Sequence, residues 1–265
     1  MRRLSISITY LVFLVLLIIP LGKIFTSAVS TGGSGFWHAL STPEALHAFL
    51  VSGLIVGTVT VVNTLFGVLL AVLLVRETRI SRRIRQFLNS VVDLPFAVSP
   101  IIGGLMIVLL MGPHTALGTF FEAHGLKIVF AMPGMILATL FVTFPLMVRE
   151  VMPVLQEVGT QQEEAAYTLG AGSWLTFWRV TWPAIRWGVL YGVVLTIARA
   201  LGEFGAVLVV SGNIINKTQS ATTLVYQQVE NFNFVAANSI ALVLAAFSIV
   251  VLLLLEWAKK RKEVC

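Results

Sequence analysis

The chain has 265 residues, of which 57% are hydrophobic and only 11% charged, whereas soluble domains average about 25% charged residues. This composition excludes an ordinary soluble enzyme or binding module and implies a polytopic membrane protein. The formal net charge of +6 needs no nucleic-acid partner, because the basic residues flank apolar segments.

A bilayer core of ~30 Å calls for about 20 mostly apolar residues per helix. Stretches without Asp, Glu, Lys or Arg run over 4–22, 45–75, 94–121, 128–148 and 231–255. A further apolar stretch, 187–216, is interrupted only by Arg199 and Glu203, so six spans are expected. None of them alternates in the manner of the ten-residue strands of an outer-membrane barrel, and the predicted fold is all-α. The first stretch also admits reading as a cleaved signal peptide, but its apolar run exceeds the usual 7 to 15 residues, and a retained span is expected. Three regions follow: 1–45 with the first helix and first external loop, 46–257 as the transmembrane domain, and 258–265 as a basic tail.

Orientation follows the distribution of basic residues. Arg2 and Arg3, then Arg76, Arg79, Arg82, Arg83 and Arg85, then Arg149, Arg179 and Arg186, and finally Lys259, Lys260, Arg261 and Lys262 all fall on one side if the spans alternate. The opposite side holds Lys23, Lys127 and Lys217. Both termini are therefore predicted to be cytoplasmic. The intervening external loops are too short for a solute-binding domain, so capture of a solute outside would fall to another protein. His38, His47, His114 and His124 lie in or near the first two of these loops, at spacings that match no zinc pattern, and are read as solvated; no metal site is expected. The single cysteine, Cys265, can form no internal disulfide.

Span 3 opens with "DLPFAVSPIIGG". Asp93 is expected to cap a helix with Pro95 in its first turn. Ser99, Pro100, Gly103 and Gly104 then weaken the helix again. Such an interruption either lines a pathway or kinks the helix for close packing, and the residues alone leave both open.

Between spans 4 and 5 lies "QQEEAAYTLGAGSWLTFWRVTWP", 161–183. Thr160 and Glu163 fit a capping box, and Gly170 suits the left-handed residue that closes a helix. A helix of about nine residues results, too short to be stable alone in water, so it must dock. Ala165, Ala166 and Leu169 give it a small smooth face, with Gln161, Glu163 and Glu164 as polar contacts. Ser173 is expected to cap a second short helix rich in interfacial aromatics, and Pro183 to open span 5. An interfacial loop with no partner is the alternative.

In span 5, "RALGEFG" places Arg199 and Glu203 four residues apart. Each costs roughly 2.5 to 3.5 kcal/mol at mid-helix on insertion scales, so both should face the bundle interior. Arginine alone would suit a dianion, but Glu203 would repel one, which favours a structural or gating ion pair. Gly202 and Gly205 would allow helices to approach closely around it. Asp93 and Ser99 join these four as candidate pathway or gate residues.

The segment Glu164 to Pro183 resembles the EAA motif of ABC importer permeases. Glu164, Ala165, Ala166, Gly170 and Pro183 match it, while Val180 and Trp182 stand where the family more often has Ile and Leu. With "VDLPFAVSPIIGGL", "FVTFPLMVREVMPVL" and "YGVVLTIARALGEFGAVLVVSG", about 46–257 is similar to the CysW-type permeases of bacterial sulfate/thiosulfate importers; molybdate and tungstate permeases share much of "ARALGEFGA". The resemblance implies a type I ABC importer permease fold in the inner membrane. It also implies a coupling helix, Glu163 to Gly170, that fits a cleft in a cytoplasmic ATPase. The implied partners are two ATPase copies that bind ATP and Mg, a second related permease and a periplasmic sulfate/thiosulfate-binding protein. The chain has no G-x-x-x-x-G-K-[ST] loop and no cofactor of its own is expected, so it is read as the translocating rather than the hydrolysing subunit. The rival from another class is an ion-coupled anion carrier, for which only Asp93, Arg199 and Glu203 offer intramembrane ionisable groups; a non-transporting scaffold is the third.

Overall fold

The computed structural model describes residues 2–77 and 80–263. Arg79 of the basic loop and Cys265 lie outside the described residues, as do the side chains of Arg2, Arg3 and the basic tail. In chain order the helices are α1 (Arg2–Ala28), α2 (Gly32–Ser41), α3 (Pro43–Arg76), α4 (Arg82–Ala97), α5 (Pro100–Met111), α6 (Ala116–Ala123) and α7 (Met132–Val158). There follow α8 (Gln161–Thr168), α9 (Ser173–Thr176), a π-helical turn (Phe177–Thr181), α10 (Trp182–Leu201), α11 (Gly205–Ser211), α12 (Ala221–Glu230) and α13 (Phe234–Glu263). The starts have local causes. Thr42 accepts the Ala45 amide at 3.2 Å ahead of Pro43, and Thr115 accepts the Gly118 amide at 3.0 Å, each supplying a partner for an amide that the first turn leaves free.

Among the described residues, five helical segments are long and apolar enough to cross a membrane: Thr9–Ala28, Pro43–Arg76, Met132–Val158, Ser173–Leu201 and Phe234–Leu254. The sixth expected span is not a straight helix over 94–121. It is the pair α4 and α5, bent by 111°. The bend falls where Val98 and Ser99 take extended ψ values of 133° and 137° ahead of Pro100, because a residue before proline is driven from the helical region. The stretch expected at 187–216 is also different: its helix already begins at Ser173 and breaks after Leu201. The segments expected to be external hold the short helices α2, α6 and α12; α12 is closed at its start by a reciprocal capping box between Ser220 and Thr223.

Helix α7 is central, with over half of its apolar window buried, and it packs on α3 and α10. Small residues set that spacing. A Cβ on Gly67 of α3 would lie 2.6 Å from Met147 Cγ, and one on Gly192 of α10 would lie 2.5 Å from Met147 Sδ, so Met147 fills a slot cut by two glycines. Asn63 Nδ2 donates to Thr143 Oγ1 at 2.8 Å inside the α3–α7 contact. Helix α1 leans on α13, where Asn238 Nδ2 donates to Ser27 Oγ at 2.8 Å. Its other side shows Tyr10, Leu11, Phe13 and Leu16, an apolar face suited to lipid. The boundary expected near residue 45 falls inside the first turn of α3, and α13 continues past residue 257.

Candidate functional site

Helix α7 ends at Gly159, whose φ of 68° suits glycine, and the chain turns directly into α8. Thr160 occupies the N-cap but its side chain makes no cap bond; its hydroxyl donates to Glu164 Oε1 at 2.6 Å. The expected Thr160–Glu163 capping box does not form, because Glu163 is turned the other way. Its carboxylate meets Arg76 Nε at 2.9 Å and accepts from Thr181 Oγ1 at 2.8 Å. The carboxylate gains a full counter-charge and a second hydrogen-bond donor there, where the cap offers a single backbone amide. Arg76 also donates through Nη2 to the Gly159 carbonyl at 2.7 Å.

The other end of α8 closes as expected. Gly170 has φ of 87°, its amide donates to the Tyr167 carbonyl at 3.0 Å and the Ala171 amide to the Ala166 carbonyl at 3.0 Å, the two bonds of a Schellman motif. Gln161, Glu164, Ala165, Leu169 and Gly170 are exposed, Leu169 at 89%, while Ala166 is half-buried. Of the residues expected on one docking face, then, Glu164, Ala165, Leu169 and Gly170 point outward together, and Glu163 is occupied within its own chain.

One further expectation is corrected beyond the loop. Ser173 does not cap a separate helix: Gly172 is the N-cap and no side chain bonds there. Pro183 falls in the first turn of α10, as expected, although the apolar helical segment as a whole already starts at Ser173. Proline has no N–H to offer the preceding turn, and the chain widens just before it into a π turn in which the Trp182 amide reaches the Phe177 carbonyl. Residues five apart then share a face, so Thr176 and Thr181 are both buried and Thr181 faces Glu163. Trp174 meets Trp178 edge-on and Trp178 meets Trp182 at a tilt, each at 5.6 Å between centroids.

Within the membrane domain Asp93 is not a helix cap. It lies inside α4 and takes both Nε and Nη2 of Arg149 of α7, at 2.8 and 2.5 Å. Ser99 is exposed at the bend and forms the N-cap of α5 without a side-chain bond. Both uses weighed for the glycines beyond it are visible, since the span breaks and the glycines also pack. A Cβ on Gly103 would lie 2.7 Å from the Phe141 ring, and one on Gly104 only 2.6 Å from the Ala206 carbonyl of α11.

Arg199 and Glu203 form an ion pair, Nη1 to Oε2 at 2.7 Å, across the break between α10 and α11. Glu203 is buried, its side chain 1% exposed against 39% for Arg199. Oε1 accepts the Ala206 amide at 2.9 Å, which starts α11, and its main-chain carbonyl accepts from Thr222 Oγ1 of α12 at 2.9 Å. Oε2 has no partner in hydrogen-bonding geometry, so Arg199 meets it as a charge. The carboxylate borders a small space with Ser52, Thr139, Ser220 and Thr222, lined from α3, α7 and α12, and Ser52 Oγ accepts the Ala221 amide at 2.9 Å. Gly205 permits close approach, since a Cβ there would lie 3.0 Å from Ile101 Cγ1, whereas one on Gly202 would meet nothing nearer than 3.9 Å, so Gly202 does not serve that purpose. Among the described residues no three His, Cys, Asp or Glu side chains gather as a metal site.

Sequence reasoning missed Arg76, Arg149, Thr181 and Thr222 as partners. In the sequence the two arginines read only as markers of membrane orientation, and the threonines carry no motif of their own.

The helical architecture, with a broken third span and a short exposed helix between α7 and α10, is that of an ABC importer permease: it superposes on a bacterial ABC transporter involved in the import of the acidic polysaccharide alginate with a TM-score of 0.81, at 17% identity, covering 98% of this chain and 95% of that one. At that identity the likeness concerns the fold. Residues 63–264 match the binding-protein-dependent transport system inner membrane component family, and the chain belongs to it. It is 46% identical over 250 residues to the sulfate transport system permease protein CysW of Synechococcus elongatus, covering 94% of this chain and 86% of that one. Identity is 42% to the same-named protein of Escherichia coli K12, covering 97% and 89%. It is 39% to the chloroplastic sulfate permease 2 of Chlamydomonas reinhardtii, covering 99% and 69%.

Proposed function

We propose that this chain is one membrane-spanning half of an ATP-driven importer that carries sulfate or thiosulfate across the inner membrane. The observation that supports this most is identity of 42% or more, over nearly the whole chain, to permeases named for sulfate transport. A second, related permease completes the path and a periplasmic binding protein delivers the anion. Two ATPase subunits bind ATP and Mg, and dock on the outward face of α8 through Glu164, Ala165, Leu169 and Gly170. Closure of the ATPase dimer on ATP moves the docked helix, and differential binding of ATP to the two states supplies the work. Both termini lie in the cytoplasm. Impermeant labelling of cysteines placed at Gly33, Arg83, Gly118 and Lys217 tests that orientation: labelling at 83 in intact cells, or protection at 118, contradicts it.

Arg199, Glu203 and Gly205, with Asp93 and Ser99 at the bend of span 3, form the pathway or gate. An ion-coupled carrier would take its coupling ion at an intramembrane ionisable group; the two carboxylates there, Asp93 and Glu203, are each paired with an arginine, so an ion would have to displace that partner. In cells lacking only this chain, labelled sulfate uptake is expected to be lost. With the chain restored, uptake is expected to persist when the proton gradient is collapsed while ATP remains, and to be competed by thiosulfate more strongly than by molybdate or tungstate. Uptake that follows the proton gradient, or stronger competition by molybdate, overturns the respective part of the reading.

A further inference from the structure

Glu163 and Glu164 are neighbours on α8 with opposite fates. Glu164 faces outward and bonds only within its own turn. Glu163 is tied to elements outside the helix. Arg76, 87 residues away, comes from the last turn of α3; Thr181 comes from the π turn at the start of the fifth span; and Arg76 also grips the Gly159 carbonyl where α7 ends. The two charged side chains are only 14% and 13% exposed. An exposed ion pair would contribute little and exchange freely, but this one is shielded and hydrogen-bonded on both sides.

An eight-residue helix cannot hold its own shape in water, and a loosely tethered one would absorb any displacement imposed on it. Here one carboxylate reaches the end of α3 and the start of the fifth span, and Arg76 carries the link on to the end of α7. Thr181 is the last residue of the π turn and is buried. Arg76, for its part, ends a helix locked to α7 by the Gly67–Met147 contact.

We propose that Arg76, Glu163 and Thr181 form a clamp that transmits movement of α8 to α3 and to the fifth span. They are positioning residues and leave the docking contact itself to the outward face. This rests on the reading of α8 as the ATPase-docking element.

The test uses the assembled importer in proteoliposomes, with labelled sulfate uptake and ATP hydrolysis measured together and co-purification of the ATPase subunits as a separate readout. In Arg76→Ala and Glu163→Gln the ATPase should still co-purify, while sulfate moved per ATP hydrolysed falls by about fivefold. Thr181→Val, which exchanges one hydroxyl for a methyl, should lower the ratio by about twofold. The Arg76→Ala/Glu163→Gln double variant should be no worse than Arg76→Ala, as expected of one shared interaction. An unchanged ratio, or factors that multiply in the double variant, overturns the clamp. So does loss of the ATPase in step with transport, which would mean that the three residues only shape the docking surface. If Arg76→Ala fails to insert, Thr181→Val carries the same test in an otherwise unaltered protein. Failure of the docking reading is seen separately, as retained ATPase and wild-type transport in both Glu164→Lys and Gly170→Val.

Discussion

The Arg76–Glu163 pair joins residues 87 apart in sequence and is supported on both sides by further hydrogen bonds, whereas Arg199–Glu203 joins residues one helical turn apart and meets without hydrogen-bonding geometry. In the first pair both side chains are equally shielded; in the second the acid is buried and the base is partly open. A pair that ties distant elements together resists opening, because every element would have to move at once. A local pair bridging a helix break can open by rotation about the break alone. On the roles proposed above, the first pair carries motion and the second yields to it.

The largest expected effect lies at the local pair. Arg199→Ala leaves the buried Glu203 carboxylate without its counter-charge, and breaking such a pair costs about 3–5 kcal/mol, to be read as loss of thermal stability or of assembled complex. Wild-type stability in this variant would show that Glu203 is held by its Ala206 and Thr222 contacts alone and would remove the contrast. Next is the packing that frames the break. Gly104→Ala drives a Cβ to 2.6 Å from the Ala206 carbonyl, an overpacking worth about 1–3 kcal/mol, and should impair stability as the helix pair α5 and α11 separates.

A smaller effect belongs to the docking helix. Gly170 has open space around it, so Gly170→Val acts only through its left-handed backbone, at about 1–2 kcal/mol. Gly170→Asn should be milder because asparagine tolerates that conformation. ATPase stimulation by loaded binding protein should therefore fall in the order Gly, Asn, Val; equal loss in both variants would point to a direct contact at this site instead. The smallest is Gly202→Ala, which meets nothing nearer than 3.9 Å and should stay within about 0.5 kcal/mol of wild type.

Much of this architecture was legible in composition and hydropathy, because a bilayer demands long apolar runs. The closing glycine of α8 was legible too, since few residues other than glycine enter a left-handed turn without strain. What the sequence concealed was the use made of charge. Taking charged residues as the limits of spans placed the start of span 3 at residue 94 and hid α4, whose helix carries Asp93 within it and continues back to Arg82. The same habit assigned Arg76 and Arg149 to the membrane surface, although each finds a carboxylate at a distance in sequence that no local spacing rule covers. The capping-box pattern at Thr160 and Glu163 was sound as local chemistry and lost to a stronger, non-local partner. Pro183 stands in the first turn of α10 as its position suggested, and the π turn that joins this helix to the segment before it was not legible.

The claim that the Arg199–Glu203 pair yields during transport is tested most directly by sulfate uptake in the assembled importer with Arg199→Ala, Glu203→Ala and both together. The account predicts that each single variant impairs uptake and that the double variant is less impaired than the product of the two, because either change alone strands the other's charge. Effects that simply multiply, with Arg199→Ala altering the preference among anions while the complex stays assembled, would contradict the gate and assign Arg199 to the anion itself.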